Sequence, residues 1–397
     1  MSEDDFGYDA SHIEVLEGLE AIRRRPGMYV GSTDERGLHH LVFEIAGRAV
    51  NEVLAGRAES VDVTFTADGS VRVRDDGPGV PFEADGDSGT PGLEDQLTHP
   101  YVGARPDSRH VVDTDLFGVG PCVVNALSSR LTAEVRRGGI RWVQEYARGV
   151  AVTPPTAAGP ATDSGTTIAF WPDTGIFGTS VCSFAALAQR FKELAFLNRG
   201  LCVSLTDERL PSGARSVRFR SPGGARDFVA FLDAAALDCT IDTPVHPDVI
   251  GFEHEDPRMA GTVEVALRWH GSPEERLVSF ANSRPTPNGG THVAGFRDGV
   301  TAAIDDYVRE RGLSTPTGPD LGSDLSPDRT CAGLTAVVSV KLDRPEFRGA
   351  THGELGGTAV RDCVAQAVRE HLLGWLEEHP EQAAALVGRV VRGVRRD

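Results

Sequence analysis

No two of the six cysteines (122, 182, 202, 239, 331, 363) lie closer than twenty residues, so there is no CxxC pair, and the twelve histidines form no ligand-spaced cluster with them. That spacing argues against a structural zinc site and leaves scattered buried thiols in a reducing compartment as the expected reading. Positive charge is also scarce. Forty Lys+Arg against 58 Asp+Glu leave a net charge of −18, which argues against a surface that coats nucleic acid generally, while local basic patches stay open. No apolar run approaches the roughly 18–20 residues of a membrane span. Met1 to Asp9 is acidic and has no apolar core, so it does not read as a secretory leader. A cytoplasmic protein without a membrane partner is expected. No internal repeat is visible. The composition that remains, 40% hydrophobic and 25% charged over 397 residues, suits two domains, each with its own core.

Periodicity places the elements. Residues 1–12 read as a polar arm, followed by helical spacing from Ile13 to Arg25 that Pro26-Gly27 ends. Leu38 to Leu54 predicts a long helix, and 60–66 and 70–75 predict two strands joined by an Asp68-Gly69 turn. Residues 82–115 are rich in Gly, Pro, Asp and Ser and predict a lid. A helix over 118–130, strands near 131–137, 140–147 and 165–171, and a helix near 180–195 follow. A seam is expected at Ser221-Pro222-Gly223-Gly224, dividing the chain into 1–221 and 222–397. Beyond it the pattern predicts helices over 224–236 and 291–311, strands over 260–269, 276–282 and Ala336 to Leu342, and two C-terminal helices. The basic end of the last (Arg389, Arg392, Arg395, Arg396) reads as a solvated helix terminus.

One constellation carries chemistry. Asp75-Asp76-Gly77-Pro78-Gly79 ends the alternating run Val71-Arg72-Val73, and Phe117-Gly118-Val119-Gly120 leads into Val123-Val124-Asn125-Ala126-Leu127. Glu44 lies upstream in the long helix. A strand-end carboxylate, two glycine loops and a helical glutamate make the outline of an ATP pocket: glycine lets backbone approach a ligand, and N–H groups at a helix start bind phosphate.

These segments resemble the N-terminal ATPase and transducer half of the DNA gyrase B and topoisomerase IV family. The resemblance extends to Ile13 through Gly31, Gly37-Leu38-His39-His40-Leu41-Val42-Phe43-Glu44, Phe196-Leu197-Asn198, Gly289-Gly290-Thr291-His292 and Gly295-Phe296-Arg297. It covers essentially the whole chain in one order. It implies an α/β fold: a GHKL (Bergerat) ATPase sandwich, then a transducer domain like ribosomal protein S5. The metal-binding, DNA-cleaving half of the full-length subunit is expected to lie outside this chain.

By the resemblance, Asp75 is the acceptor of the adenine amino group, Thr166 shares a water with it, and Gly77, Gly79, Gly118, Val119 and Gly120 line the nucleotide. Glu44 is the general base, Glu52 a pocket residue, and Tyr8 and Ile13 belong to an arm that crosses to a partner subunit in a homodimer. Arg297 matches a residue on a DNA-lining wall. Other positions depart from the family. Its E-x-x-x-N motif reads Glu44-Ile45-Ala46-Gly47-Arg48, with Arg48 where an asparagine holds Mg²⁺. A guanidinium has no acceptor for a metal; one turn from Glu44, it is expected to pair with that carboxylate. Asp115 and Phe117 stand in the GGLHGVG lid motif, and a carboxylate ~4 Å from a phosphate charge costs on the order of 4 kcal/mol. Ala350 and His352 replace the Q-T-K glutamine and lysine that contact the γ-phosphate. Arg105 and Arg348 are the candidate substitutes, and Val143 falls where some members carry a pocket-rim arginine.

Two readings remain open. One is a dimerising, pseudoenzyme-like module with very slow or absent hydrolysis, which engages gyrase or topoisomerase subunits or a small ligand, and whose adenine-reading parts survive. The other is a working, ATP-hydrolysing subunit whose arginines stand in for magnesium and lysine and whose cleavage domain another chain supplies.

Overall fold

Alternation of apolar and polar residues builds the first sheet. In strand Ser60–Phe65 the residues Val61, Val63 and Phe65 are buried, and in strand Val71–Asp75 so are Val71, Val73 and Asp75. The two pair antiparallel, Val61 opposite Asp75 and Phe65 opposite Val71. Gly69 takes φ +84° in the turn between them, and Asp68 accepts from the Ser70 N–H at 3.1 Å. This register sets Asp75 at the strand's end, facing inward. The computed structural model describes residues 19–83, 92–100, 120–237, 244–312, 325–349 and 352–392.

The first sheet has nine strands. Its path runs Val150–Ala151, Ile140–Ala147, Ser128–Arg137, Gly165–Pro172, Val71–Asp75, Ser60–Phe65, Cys202–Asp207 and Arg215–Phe219, with Thr156–Pro160 pairing beside Ile140–Ala147. The helix Glu35–Leu54 packs against it through Leu38, Leu41, Val42, Ile45, Ala46, Ala49 and Val50, all buried. Asp34 caps this helix by accepting from Arg36 N–H at 2.9 Å. Ser183 caps Phe184–Leu197 in the same way, accepting from Ala186 N–H at 3.3 Å.

The sequence-based helix over 118–130 is corrected. The helix spans only Cys122–Ala126, and Ser128 already opens a strand. The Ser128 hydroxyl donates to Val124 O at 2.6 Å where the helix ends, and pairing with Gly165–Pro172 takes over. The periodicity also passes over strands Thr156–Pro160, Cys202–Asp207, Arg215–Phe219 and Ile250–Asp256.

The second sheet runs Ile250–Asp256, Gly261–Trp269, Leu334–Leu342, Arg276–Ala281, Arg284–Pro285. Its strand Leu334–Leu342 is buried on both faces. Ala336, Val338 and Val340 face the core shared with helices Thr291–Glu310 and Thr358–Glu378, whereas Val337 meets Phe228 and Val229 of helix Ala225–Leu237. A strand covered on both sides reads as a continuous apolar run rather than an alternation. The two long helices approach closely because a Cβ on Gly299 would lie 2.5 Å from Ala365 O.

Among the described residues the two sheets share no strand, and the last strand of the first ends at Phe219. Across this seam Phe196 stacks on Phe228 at 4.7 Å, Arg190 Nη2 donates to Ser283 O at 2.6 Å, and Asn198 Nδ2 donates to Ser283 Oγ at 3.1 Å. Arg389, expected to be solvated at the end of the last helix, instead donates to Ala332 O at 2.7 Å and to Ser272 O at 2.8 Å. Among the described residues no helix is long and apolar enough to cross a membrane.

Candidate functional site

Helix Glu35–Leu54 carries His40, Glu44, Arg48 and Glu52 at four-residue intervals, a spacing that puts them along one stripe. His40 and Glu44 are buried, with Nε2 and Oε1 3.7 Å apart. The ion pair found for Arg48 is with Asp75, Nη2 to Oδ2 at 2.5 Å, and not with Glu44 as the spacing suggests. Both carboxylates are buried, Asp75 the more deeply. Asp75 is 1% exposed at the end of its strand, and a buried carboxylate demands a counter-charge that a long guanidinium side chain can bring.

The other carboxylate oxygen of Asp75 is also engaged: Oδ1 accepts from Gly77 N–H at 3.1 Å and from Thr166 N–H at 3.2 Å. Thr166 Oγ1 in turn accepts from Val80 N–H at 3.1 Å. Gly79 takes φ +76°, and a Cβ there would fall 2.6 Å from Arg136 O, so only glycine passes. The neighbouring Asp76 does different work: it accepts from Glu59 N–H, Ser60 N–H and Ser60 Oγ. Burial opposes its ionisation, but these donors outweigh it and hold its carboxyl below the usual range.

Sequence reasoning misses an arginine side chain that bonds the glycine turn. Arg137 Nη1 donates to Gly79 O at 3.0 Å, whereas Val143, the position expected at the rim, sits mid-strand opposite Glu134. The overlooked signal is Arg136-Arg137 directly before the Gly138-Gly139 turn. Glu52 is held by Arg57 in a two-point contact of 2.7 and 2.9 Å. Burial works against its charge, yet Arg57 and, at longer range, Arg48 lower its pKa.

Gly120 takes φ +88° just before the short helix Cys122–Ala126. Tyr8, Ile13, Arg105, Asp115, Phe117, Gly118, Val119 and Ala350 lie outside the described residues. In the second domain, strands Phe347–Arg348 and Glu354–Leu355 form a small hairpin. Arg348, the candidate substitute for the missing phosphate contact, is paired with Glu354 at 2.8 Å. His352 takes φ +52° and stacks on Phe347 at 5.0 Å. Arg297 is held by Glu275 at 2.7 Å, with Asp328 at 3.9 Å.

Comparison with known proteins agrees with this architecture. A family model described as DNA gyrase B matches residues 224–396, and one described as histidine kinase-, DNA gyrase B-, and HSP90-like ATPase matches 33–176. The 43K ATPase domain of Thermus thermophilus gyrase B, solved in complex with an aminocoumarin, is 32% identical with a TM-score of 0.79, covering 95% of this chain and 94% of that one. The chain belongs to the DNA gyrase B family. The DNA gyrase B protein of Streptomyces coelicolor is 43% identical over 396 residues, covering 96% of this chain and 56% of that protein. The novobiocin-sensitive gyrase B protein of Streptomyces niveus is 41% identical, covering 97% and 58%. This member therefore spans 56–58% of the length of these curated relatives. Its fold is the GHKL ATPase domain followed by the transducer domain.

The GHKL family works with ATP and Mg²⁺. The residues on this helix do not fit a magnesium ion beside Glu44. One turn on stands a buried guanidinium, cationic and without an oxygen to offer, bonded to Asp75. No catalytic step through that metal follows from this arrangement.

Proposed function

We propose that this gyrase B-like ATPase and transducer module is a cytoplasmic, dimerising protein whose pocket turns ATP over very slowly or not at all. The observation that carries the reading is the Arg48–Asp75 ion pair. It puts a fixed positive charge where the family places a metal ligand, and it engages the carboxylate that the family uses to read adenine. Arg348, the described candidate for the missing γ-phosphate clamp, is paired with Glu354 instead. Since the lost parts serve metal and phosphate together, they remove most of what stabilises a phosphoryl-transfer transition state. Tyr8 and Ile13 are assigned to the dimer arm, and gyrase or topoisomerase subunits are the partners that the family resemblance suggests.

A steady-state phosphate-release assay with Mg²⁺-ATP tests the proposal. The expected result is background turnover, with activity gained in Arg48→Asn/Ala350→Gln/His352→Lys. One observation favours the alternative, an active subunit completed by another chain: Glu44 is not taken up by Arg48, which bonds Asp75, so its carboxylate is not neutralised by that guanidinium. Brisk turnover abolished by Glu44→Ala would establish that alternative instead.

A further inference from the structure

At position 6 the base-reading end offers hydrogen-bond donors where the amino group of adenine needs an acceptor. Asp75 Oδ1 already takes two backbone N–H groups, and Oδ2 takes Arg48. A carboxylate has about four lone-pair positions, so an arriving amino group would compete for the last of them beside a positive charge. Donors, by contrast, are in surplus. The Arg48 side chain is only 9% exposed, and its Nε and Nη1 are buried with no hydrogen-bond acceptor among the described residues. Buried donors without acceptors are costly, and an incoming acceptor relieves that cost. Thr166 Oγ1 accepts from Val80 N–H, which leaves its own proton to donate.

We propose that this pocket selects a planar ring that presents a carbonyl acceptor to Arg48 and Thr166, a 6-oxopurine nucleotide in preference to an adenine nucleotide. The inference rests on the reading that the site is not built for ATP turnover, and it names what the site holds instead. Arg48 is the specificity-determining residue, Thr166 a supporting donor, and Asp75 the anchor that fixes the guanidinium. Hypoxanthine and adenine differ at position 6 by acceptor oxygen against donor amino and at N1 by donor N–H against acceptor nitrogen, so O6 would take the Arg48 donors while N1–H takes the remaining lone pair of Asp75. Rejection of an analogue whose group leaves a buried partner unsatisfied is the strong form of ligand discrimination.

The test is calorimetry on the full chain without Mg²⁺, using inosine, guanosine and adenosine monophosphates, with orotate as a carbonyl-bearing ring that is not a purine. Inosine monophosphate is expected to bind at least about tenfold tighter than adenosine monophosphate. Arg48→Met is expected to erase or reverse that preference, and Arg48→Lys, which keeps a cationic donor, to retain part of it. Equal or tighter binding of the adenine nucleotide by the natural chain would overturn the proposal, as would an unchanged preference in folded Arg48→Met. Orotate binding with no purine binding would overturn the purine assignment. Because monophosphates without metal cannot report turnover, failure here leaves the slow-hydrolysis reading standing, and only the phosphate-release assay can remove that.

Discussion

Helices Glu35–Leu54 and Thr291–Glu310 are each 20 residues long, and each places its decisive residues four apart. The first carries His40, Glu44 and Arg48 along one stripe, with His40 and Glu44 buried and Arg48 bonded to Asp75. The second presents Gly295 and Gly299 to the backbone of helix Thr358–Glu378. One spacing therefore makes a chemical stripe in one domain and a flat joint in the other, and the residue type alone decides which. The joint is apolar and close-packed. The stripe depends on buried charge, so the two helices should break in different ways.

The largest effect is expected at the stripe's anchor. Asp75→Ala leaves the Arg48 guanidinium buried without its carboxylate, a change that costs about 3–5 kcal/mol. Arg48→Met should cost less, because Asp75 keeps the N–H groups of Gly77 and Thr166. Urea unfolding of both variants checks the order. If Asp75→Ala proves the milder change, the pair does not hold the stripe.

At the joint, Gly299→Val drives side-chain atoms into Ala365 O and the Val368 side chain, both within 2.7 Å of a built Cβ. Overpacking of this kind costs about 1–3 kcal/mol, and with backbone on the opposing side the top of that range is expected. A thermal melt reads it. An unchanged midpoint would mean that the helices separate freely and that the joint is not close-packed.

Much of this contrast is written in the sequence, and the part that is not has a physical cause. The Glu44–Arg48 spacing, the Asp75-to-Gly79 turn and the Gly-rich start of Thr291–Glu310 are local patterns, and each falls where periodicity places it. The partner of Arg48 is not local. Glu44 is nearer along the chain, but Asp75 is buried by a strand register that no window of sequence displays. Arg137 escapes notice for the same reason, since its contact with Gly79 joins residues 58 positions apart. The fate of Val123-Val124-Asn125-Ala126-Leu127 depends on competition between helix propagation and pairing with Gly165–Pro172, and tertiary pairing wins. Strands such as Cys202–Asp207 are passed over because short alternating runs resemble loops until a neighbour is known.

Each helix also buries a histidine, and His292 gives the comparison a pH axis. Burial pulls its pKa down from 6.5 to about 4. The unfolded chain takes up a proton near pH 6.5 while the folded chain resists until about pH 4, so stability is full above 6.5, falls as pH drops, and levels off below 4. This group alone should remove about 2 kcal/mol between pH 7 and pH 5. His246 and His371 act in the same direction, so the check is the difference between the natural chain and His292→Leu in urea unfolding at the two pH values. A parallel loss in both proteins would remove His292 from the account.

The smallest effect is expected where the second helix carries its own arginine. Arg297 invites comparison with Arg48, because each is a helix cation facing a carboxylate. Arg48 is sealed against Asp75, whereas Arg297 is 35% exposed and shared between Glu275 and Asp328. Burial pushes Glu275 up while Arg297 draws it down, and the balance lies above the usual carboxylate value. A cation already countered by two acids, on a chain of charge −18, offers a duplex little free charge. Each phosphate neutralised contributes about 0.9 to the salt slope of DNA affinity. Arg297→Gln should therefore move that slope by well under one such unit and leave affinity within about twofold. Titration of labelled duplex across a salt series measures it, and a loss of a full unit would show that DNA displaces Glu275 and that Arg297 is a phosphate contact after all.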